Sequence, residues 1–303
     1  MVNRILIIGG TGFIGHHLAK VCIKKKMKVT SISKTLPSKE RHVKKVKYIK
    51  CSIEQKSEIK KKLNNKKFDF IVNLGGYVDH NNKKKTYSSH YIGCKNLADY
   101  FLKKKIKLFL QVGSSAEYGK IKSPQKESSI TNPKKIYGKS KLKASSYLLN
   151  LYEKKKFPCT ILRLYQVYGP GQDYNRFIPI VIRACKNDLE FPCSNAIQKR
   201  DFLYIDDLIN CFFNFFKNSK NSEGRIFNIG LGKPIKLMNI IKKIKNAMNG
   251  GKPLFGKIKL RIDEPKIIYP DISLVKNLIK WKPETNFSKG LKKTLIHYSK
   301  INN

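Results

Sequence analysis

The order of apolar and polar positions in the first half of the chain predicts short buried strands that alternate with longer amphipathic helices. Runs rich in Ile, Val and Leu recur there, and most are separated by stretches whose apolar residues stand three or four places apart. This alternation is typical of a parallel sheet with helices on both faces. The predicted strands are 5–8, 29–32, 46–49, 68–74, 107–112 and 160–164, and the predicted helices are 13–25, 57–63, 87–102 and 136–152.

The rhythm of the pattern changes after Gly169-Pro170-Gly171, where shorter and more mixed elements begin. No internal repeat or low-complexity linker separates the two halves of the sequence. We therefore expect an α/β fold. A doubly wound parallel sheet, mainly residues 1–168, should carry a smaller mixed α/β substrate-binding part, mainly residues 169–303, packed closely on it. The elements predicted in the second part are helices 178–185, 206–216, 238–248, 272–279 and 289–298 and a strand at 225–229.

A glycine-rich turn, residues 9–15, lies between the first predicted strand and the first predicted helix. Glycines at this point allow a tight turn and a close approach of the backbone to phosphate, while the helix N-terminus offers unpaired N–H groups to an anion. In this context the turn predicts a Rossmann-type site for NAD(H) or NADP(H). The predicted cofactor contacts are Gly9, Gly12, Phe13, Ile14 and Gly15, together with Ser52, Ile53, Leu74, Gly75 and Gly76 after later strands.

The end of the second predicted strand bears on the choice between NAD and NADP. An acidic residue there would bind the adenosine ribose hydroxyls of NAD and repel the additional phosphate of NADP. The chain has Ser33 and Lys34 at this place and no carboxylate. Ser33 can hydrogen-bond a 2′-phosphate and Lys34 can pair with it, so the sequence favours NADP(H) over NAD(H), with Arg41 as a second candidate. The alternative is that Lys34 is one more surface lysine.

Tyr137 and Lys141 stand four residues apart, just after a helix start predicted at Asn132-Pro133. Residues at this spacing share one face of a helix. A lysine cation close to a phenol favours the phenolate and so prepares the group to transfer a proton near neutral pH. Such pairs are common on lysine-rich helices, but the glycine turn upstream makes this one a candidate catalytic pair.

The formal net charge of +44 raises the question of a nucleic-acid partner. Only eight of the 64 basic residues are arginine, whereas recognition of bases and phosphates favours the arginine fork. The lysines form short runs near the ends of predicted helices, where they are hydrated and favourable to the helix dipole. We therefore expect no specific nucleic-acid partner.

The cysteines and histidines show no pattern of a disulfide framework or a metal site. Seven cysteines are scattered without a CxxC pair, which favours a reducing cytoplasm. No apolar run reaches the length of a membrane span, so we expect no membrane segment. His16, His17, His80 and His90 lack the spacing of metal ligands, and we expect packing or surface positions for them and no metal. A substrate role is the alternative for His80.

Further motifs follow the glycine turn and Tyr137 along nearly the whole chain. Together they resemble the extended short-chain dehydrogenase/reductase family, in particular its nucleotide-sugar epimerases, dehydratases and ketoreductases. The motifs are Ser114-Ser115, Val167-Tyr168-Gly169-Pro170-Gly171-Gln172, Arg176-Phe177-Ile178-Pro179, Arg200-Asp201-Phe202, Phe227-Asn228-Ile229-Gly230, Asp263-Glu264-Pro265 and Trp281-Lys282-Pro283.

The resemblance implies a role for each member of the predicted catalytic set. Tyr137 is expected to exchange a proton with the sugar hydroxyl or keto group, and Lys141 to bind the nicotinamide ribose. Ser114, with Ser115 as the runner-up, is expected to hydrogen-bond the reacting oxygen. Helices 87–102 and 136–152 resemble those that form dimer interfaces in the family, so we also expect a homodimer.

The residues after Ser114 bear on the type of reaction. Dehydratases of the family carry an Asp-Glu pair directly after this serine or threonine, because removal of water needs its own acid and base. This chain has Ser115 and Ala116 there, and Glu117 follows one place too late unless Ser115 is the catalytic serine. We therefore expect an NADPH-dependent reductase of a nucleotide-linked 4-keto-6-deoxysugar. An NAD-dependent 4-epimerase is the alternative, with a dehydratase or a non-catalytic dinucleotide or nucleic-acid binding protein as further possibilities.

Residues of the second part are candidates for binding the nucleotide sugar. Arginine can form a bidentate pair with a diphosphate, and the resemblance supports this role for Arg200 and Arg261. Gln166 stands where many relatives have an Asn that contacts the substrate. The complete set of predicted substrate contacts is Ser115, Gln166, Arg176, Phe177, Arg200 and Arg261.

Overall fold

The structure, a computed structural model, describes residues 2–260 and 264–301. Its strands are β1 Arg4–Ile8, β2 Lys28–Ser33, β3 Lys47–Lys50, β4 Phe70–Asn73, β5 Leu108–Ser114, β6 Cys159–Leu164, β7 Gln166–Tyr168, β8 Glu190–Pro192, β9 Lys199–Tyr204, β10 Arg225–Ile229, β11 Pro234–Lys236, β12 Lys252–Leu254 and β13 Ile267–Ile268. Its α-helices are α1 Phe13–Lys24, α2 Lys56–Leu63, α3 Lys83–Tyr87, α4 Gly93–Phe101, α5 Ile136–Lys155, α6 Phe177–Lys186, α7 Ile205–Lys217, α8 Ser219–Ser222, α9 Leu237–Met248, α10 Ser273–Ile279 and α11 Phe287–Ser299.

Seven parallel strands of the described chain form the main sheet in the order β10-β6-β5-β4-β1-β2-β3. Strands after β1 extend the sheet on one side through β2 and β3, and strands from β4 onward extend it on the other. The strand order therefore reverses between β1 and β4. In open sheets of this kind, ligands bind at the carboxyl ends of the strands beside this reversal.

The alternation of side chains along β1 explains why helices cover both faces of the sheet. Ile5 and Ile7 belong to one apolar cluster, whereas Leu6 and Ile8 belong to the other. Successive residues of a strand point to opposite faces, so a strand that is apolar at every position needs a cover on each side. Each fully buried aliphatic side chain contributes about 1.5–3 kcal/mol to this packing.

The second part of the chain is built around β9, which pairs with β7, β11 and β13, while β8 pairs with β12 in a separate ribbon. One continuous apolar cluster joins it to the first part, because side chains of α1 and β4 share that cluster with α6, α7 and α9. The carboxyl ends of β5 and β6 thus face residues of the second part. We expect a cofactor and substrate to bind in a cleft beside these strand ends.

The structure confirms the α/β fold and the doubly wound parallel sheet predicted from the sequence. One predicted helix differs from the prediction, and the strands β7, β8, β9, β11, β12 and β13 were not predicted. The helix predicted at 87–102 begins earlier and is divided into α3 and α4 by a π-helical turn at Ser88–Ile92. The strand β9, which organises the second part, was not predicted, because its sequence KRDFLY begins with two basic residues. Within the described residues, no helix is both long and apolar enough to cross a membrane.

Candidate active site

The glycine turn lies against the backbone that follows β4. Gly9 has φ of +77°, a left-handed conformation that glycine adopts without strain. A Cβ atom placed on Gly9 would lie 3.2 Å from the carbonyl of Leu74, and one on Gly15 would overlap the backbone of Gly9 and Gly10. The turn therefore depends on glycine at both positions. It brings the N-terminus of α1 to the carboxyl ends of β1 and β4.

The first turn of α1 has the features of an anion site. Gly12 is its N-cap and supplies no side-chain cap, and the first turn contains no acidic residue. Its first N–H groups therefore lack a side-chain cap, and the binding of a diphosphate there stays a prediction. Phe13 and Ile14 follow in this turn, and both pack partly against the main apolar cluster. After β4, Gly75 N–H donates to Asn73 Oδ1 at 3.1 Å, which fixes the backbone beside the glycine turn.

The carboxyl ends of β2 and β3 carry the residues that were predicted to contact the adenosine. Ser33 Oγ donates to the carbonyl of Ile32 at 2.8 Å, within its own strand. Lys34 Nζ lies 2.7 Å from Glu54 Oε1 in an exposed ion pair. Glu54 was not singled out from the sequence, although it follows the predicted contacts Ser52 and Ile53 and parallel strand ends meet at one edge. A carboxylate is therefore present at this edge, supplied by the segment after β3.

Arg41, the second candidate for the phosphate, connects the glycine turn to the second part. Its guanidinium donates to the carbonyl of Thr11 at 3.4 Å and to that of Gly171 at 3.2 Å, and it pairs with Asp173 at 2.5 Å. In this arrangement its charge is already compensated by Asp173. Arg41 therefore serves as a bridge between the two parts rather than as an unpaired cation at the cofactor edge.

Helix α5 places Tyr137 and Lys141 on the face that meets β5. Lys141 is 4% exposed, and its ammonium donates to the carbonyl of Val112 at 2.7 Å. The same ammonium lies 6.0 Å from the centroid of the Tyr137 ring. The predicted pair is thus brought together by one helix face and tied to the sheet by one hydrogen bond. Two further N–H groups of the Lys141 ammonium remain for a ligand.

Ser114 ends β5 and caps the short 3₁₀ turn Ser115–Glu117. Its Oγ accepts the N–H of Ala116 at 3.2 Å, and its own N–H donates to Glu117 Oε1 at 2.9 Å. Because the Oγ lone pair receives the Ala116 N–H, the Ser114 hydroxyl hydrogen is left to be donated elsewhere. The turn packs on the start of α5, where a Cβ on Gly138 would overlap the carbonyl of Ala116. Ser114 and Tyr137 therefore stand on neighbouring elements.

Two histidines contact Tyr137, and the sequence predicted neither contact. The His80 ring stacks on the Tyr137 ring at 4.1 Å and 14°, and the His90 ring meets it edge-on at 5.0 Å and 76°. His90 is 6% exposed, and burial, reinforced by the charge of Lys141, lowers its pKa to about 2. Burial also lowers the pKa of His80, with further contributions from Arg176 and Lys141. Both imidazole rings are thus neutral and pack against the phenol ring of Tyr137.

The tautomer of His90 follows from its one hydrogen bond. His90 Nε2 lies 3.2 Å from the carbonyl of Tyr77, and a carbonyl can only accept, so Nε2 carries the hydrogen. His90 Nδ1 is buried without a partner within the described part of the chain. Spacing could not reveal these contacts, because His90 faces inward from the π-helical turn between α3 and α4.

The predicted substrate contacts of the first part and of α6 border the cleft to different degrees. Gln166 is exposed at the start of β7, and Ser115 is half-buried in the 3₁₀ turn. Arg176 is exposed at the N-cap of α6, and its charge acts on His80. Phe177 packs partly into the main cluster beside Phe202, with ring centroids 6.1 Å apart. Of these residues, Arg176 is the one that acts electrostatically on His80, whose ring stacks on Tyr137.

The two arginines expected to bind a diphosphate differ in what can be said of them. Arg200 is 7% exposed and pairs with Glu264 at 2.6 Å, while another of its nitrogens donates to the carbonyl of Lys199 at 2.9 Å. Its fork therefore already holds one carboxylate. Arg261 lies outside the described residues.

The sequence of the chain matches the profile of the NAD dependent epimerase/dehydratase family over residues 5–230. The chain belongs to this family. The family identified from the motifs is thereby confirmed. The matched region includes the glycine turn, the 3₁₀ turn at Ser115–Glu117, helix α5 and β9.

Members of the family with different activities are similar to this chain. The dTDP-D-glucose 4,6-dehydratase of Dictyostelium discoideum is 28% identical over 272 residues, which cover 81% of this chain and 62% of that protein. The CDP-abequose synthase of Salmonella muenchen is 33% identical over 135 residues, 44% of this chain and 46% of that protein. The chain thus spans less than two thirds of either relative. A putative UDP-glucose 4-epimerase of Methanocaldococcus jannaschii is 27% identical, with 99% of both chains covered.

Solved structures show the same fold. The UDP-glucose 4-epimerase of Thermotoga maritima superimposes with a TM-score of 0.91 at 22% identity, covering 98% of this chain and 99% of that one. The UDP-glucuronic acid 4-epimerase of Bacillus cereus, solved with UDP-glucuronic acid and NAD, gives a TM-score of 0.89 at 23% identity, covering 99% and 100%. At these sequence identities the similarity shows the fold of this chain and does not show which reaction it catalyses.

Proposed function

We propose that this chain reduces a nucleotide-linked 4-keto-6-deoxysugar at C4 with NADPH. Ser114, Tyr137 and Lys141 are the catalytic residues in this proposal. The observation that carries it is the burial of Glu117 in an ion pair with Arg163, since a carboxylate held there does not supply the acid or base that dehydration needs. The Salmonella relative, named for the synthesis of CDP-abequose, supports a nucleotide-linked sugar as substrate.

The cofactor would be held by the glycine turn and the strand ends beside it. The space over Gly12 is open, since a Cβ there would meet only the Gly9 carbonyl at 3.4 Å, and the N–H groups of α1 face a diphosphate at that place. Lys141 would donate its two remaining N–H groups to the nicotinamide ribose. When bound, the nicotinamide supplies the hydride.

The protein groups then handle the proton and the reacting oxygen. The Ser114 hydroxyl, whose oxygen is engaged by the Ala116 N–H, donates a hydrogen bond to the keto oxygen. Tyr137 delivers a proton to the same oxygen as it becomes a hydroxyl. The Lys141 charge, held 6.0 Å from the phenol ring, stabilises the resulting phenolate. The neutral rings of His80 and His90 keep water from two sides of the phenol.

Glu117 could serve a dehydratase only if its carboxylate reached the substrate. It is fully buried and accepts hydrogen bonds from Ser114 N, Ser145 Oγ and Arg163 Nε, each at 2.9 Å. Moving it into the cleft would leave the Arg163 guanidinium buried and uncompensated, at a cost of about 3–5 kcal/mol. The loop shift that would make Ser115 the catalytic serine therefore has a large energetic cost, which supports Ser114.

The choice of NADPH depends on whether Lys34 can leave Glu54. The pair is exposed, and such pairs contribute only about 0–1 kcal/mol. A 2′-phosphate carries more charge than a carboxylate, so Lys34 can exchange one partner for the other at little cost. The same pair favours the second candidate function, an NAD-dependent 4-epimerase, if Glu54 instead accepts hydrogen bonds from the ribose hydroxyls.

We propose that Arg200 and Arg261 bind the diphosphate of the nucleotide sugar, with Gln166, Arg176, Phe177 and Ser115 around the sugar and base. Arg200 supports this role because its guanidinium is held in place by backbone carbonyls and already binds one oxyanion, that of Glu264. A diphosphate would replace the carboxylate on the same fork.

The test is a panel of 4-keto-6-deoxy and 4-hydroxy nucleotide sugars, each incubated with the purified protein and NADPH, NADH or no added cofactor. The products are identified by NMR, and the cofactor that purifies with the protein is identified by mass spectrometry. Oxidation of NADPH with formation of a 4-hydroxy sugar would support the reductase. Bound NAD, together with interconversion of two sugars without added cofactor, would select the epimerase instead. Formation of a 4-keto-6-deoxysugar from a 4-hydroxy sugar would show a dehydratase and contradict the proposal.

A further inference from the structure

The carboxylate of Glu117 connects three elements around the predicted catalytic residues. Its Oε1 accepts the N–H of Ser114 at the end of β5. Its Oε2 accepts Ser145 Oγ from α5, the helix of Tyr137 and Lys141, and Arg163 Nε from β6. The three distances are each 2.9 Å, and Glu117 has no exposed surface. A single buried group therefore ties the Ser114 turn to both neighbouring elements.

The surroundings of this carboxylate leave it one orientation. A Cβ on Gly113 would overlap Glu117 Oε1, so glycine in β5 provides the space for the carboxylate. On the other side the Arg163 guanidinium carbon lies 4.4 Å from the centroid of the Tyr118 ring, which fixes the plane of the guanidinium. The side chains of Arg163 and Glu117 are 3% and 0% exposed. In such a site the ion pair cannot exchange with water, and its geometry is retained.

This arrangement is costly unless it performs a task. Arg163 NH1 is buried without a hydrogen-bond partner within the described residues, so the pair does not satisfy all its own donors. Replacement of a buried ion pair by apolar side chains of similar volume is often neutral or stabilising. An apolar pair could thus fill this space, but it could not accept the N–H of Ser114.

We infer that Glu117 and Arg163 are positioning residues that set the orientation of the Ser114 hydroxyl relative to Tyr137. The inference rests on the proposed catalytic role of Ser114. Glu117 holds the backbone of the 3₁₀ turn, the turn holds Ser114 Oγ through the Ala116 N–H, and Ser145 fixes the same carboxylate to the helix of Tyr137. A displacement of about 1 Å at such a donor lowers turnover by about 100-fold.

The experiment is a double-mutant cycle on kcat between position 114 and the pair. The variant Glu117→Leu/Arg163→Met replaces both charges by apolar side chains, so that the protein stays folded while Ser114 N–H loses its acceptor. We expect kcat to fall by about 10- to 100-fold with KM nearly unchanged. In the Ser114→Ala background the same change should lower kcat by less than about twofold, because the group it positions is absent.

Asp207 provides the matched control. It is also a buried carboxylate that accepts a backbone N–H, that of Thr285 at 2.9 Å, but it lies on α7. Any effect of Asp207→Asn on kcat should be independent of Ser114, so that the two variants together lower kcat by the product of their separate effects. The inference would be overturned if the effects of Glu117→Leu/Arg163→Met and of Ser114→Ala on kcat multiply. It would also be overturned if the folded Glu117→Leu/Arg163→Met variant has the kcat of the wild type.

A second measurement does not depend on turnover. Amide hydrogen exchange of residues 114–118 should be at least tenfold faster in Glu117→Leu/Arg163→Met than in the wild type, at matched global stability, while amides of β1 keep their protection. Unchanged exchange in the turn would refute the positioning role. If the exchange difference between wild type and variant is found but the wild type turns over no nucleotide sugar, that result would contradict the proposed function and leave the structural role of Glu117 and Arg163 intact.

Discussion

The two ends of the predicted cofactor cleft are built in different ways. At the catalytic end, Lys141, Glu117 and Arg163 are buried and their polar groups are fixed by hydrogen bonds to the backbone or to one another. At the adenosine end, Lys34 and Glu54 form an exposed pair, with side chains 52% and 21% accessible. The first end is held by these buried hydrogen bonds, which are costly to break. The second can exchange its partners with solvent or ligand.

This difference explains why the reaction chemistry is easier to infer than the choice of cofactor. A buried group has few alternative partners, so its surroundings in the fold strongly limit what it can do. An exposed lysine in a chain with a net charge of +44 has many equivalents, and its role depends on small free-energy differences. The following predictions test the contrast from the largest expected effect to the smallest.

Removal of the phenol hydroxyl should have the largest effect. In Tyr137→Phe we expect kcat to fall by about a thousandfold, since the proposed proton donor is lost, with little change in thermal stability. Tyr147→Phe is the control, because Tyr147 stands on the same helix but bonds Asp99 away from the cleft. Steady-state kinetics with the substrate found in the panel provide the measurement. Equal losses in both variants would show that the helix, and not the phenol, is responsible.

Breaking the buried ion pair from one side should destabilise the fold. In Arg163→Met the Glu117 charge stays buried without its partner, and we expect a loss of about 3–5 kcal/mol in the free energy of unfolding. Lys34→Met breaks the exposed pair of Lys34 and Glu54 and should cost less than about 1 kcal/mol. Urea denaturation followed by circular dichroism measures both. Similar losses would remove the contrast between buried and exposed charges.

The buried imidazole of His90 should make the fold sensitive to acid. Its pKa is lowered from 6.5 to about 2, so below pH 6.5 the unfolded chain binds a proton that the folded chain does not. This contribution is complete above pH 6.5 and is lost as the pH falls towards 2. Between pH 7 and pH 5, we expect the wild type to lose about 2 kcal/mol more than His90→Asn.

Denaturant titrations at the two pH values measure this difference. His42→Asn is the control, since His42 is an exposed histidine. Parallel pH dependence of the wild type and His90→Asn would mean that His90 accepts a proton in the folded protein.

The smallest effect is expected at the adenosine end. Glu54→Gln frees Lys34 for a 2′-phosphate, and we expect the ratio of kcat/KM for NADPH over NADH to rise by about two- to fivefold. Lys34→Gln should shift the ratio in the opposite direction. The shift should shrink in high salt because the groups are exposed. A ratio that changes in neither variant would place the determinant of cofactor choice elsewhere.

The sequence was sufficient for the elements whose pattern is local. The glycine turn, the strand before it and the spacing of Tyr137 and Lys141 each depend on a few neighbouring residues, so the fold class and the face of α5 followed directly. The contacts of Tyr137 with His80 and His90 did not follow, because they depend on the π-helical turn and on the loop after β4. Such long-range contacts leave no periodic signal.

The partners of charged residues were also beyond the sequence. Lys34 and Glu54 are twenty residues apart, and Arg163 and Glu117 are 46 apart, so only the order of strands in the sheet brings each pair together. Glu117 was considered as a displaced dehydratase residue, whereas the structure buries it under Ser114. In a chain with so many lysines, the few buried charged residues indicate best where the candidate site lies. Their burial is a property of the tertiary structure and cannot be read from the sequence.

Lys141 is the one lysine that is buried within residues 2–260 and 264–301. Reagents that acylate amines require an accessible, unprotonated nitrogen, so surface lysines will react with them first. Lys141, which is 4% exposed and donates to the Val112 carbonyl, should react more slowly than the surface lysines. Mass spectrometry of its tryptic peptide after brief labelling would therefore measure how accessible this amine is, without any substrate and without a mutation. The many surface lysines are labelled in the same sample, and their reaction thus provides an internal reference for the labelling of Lys141.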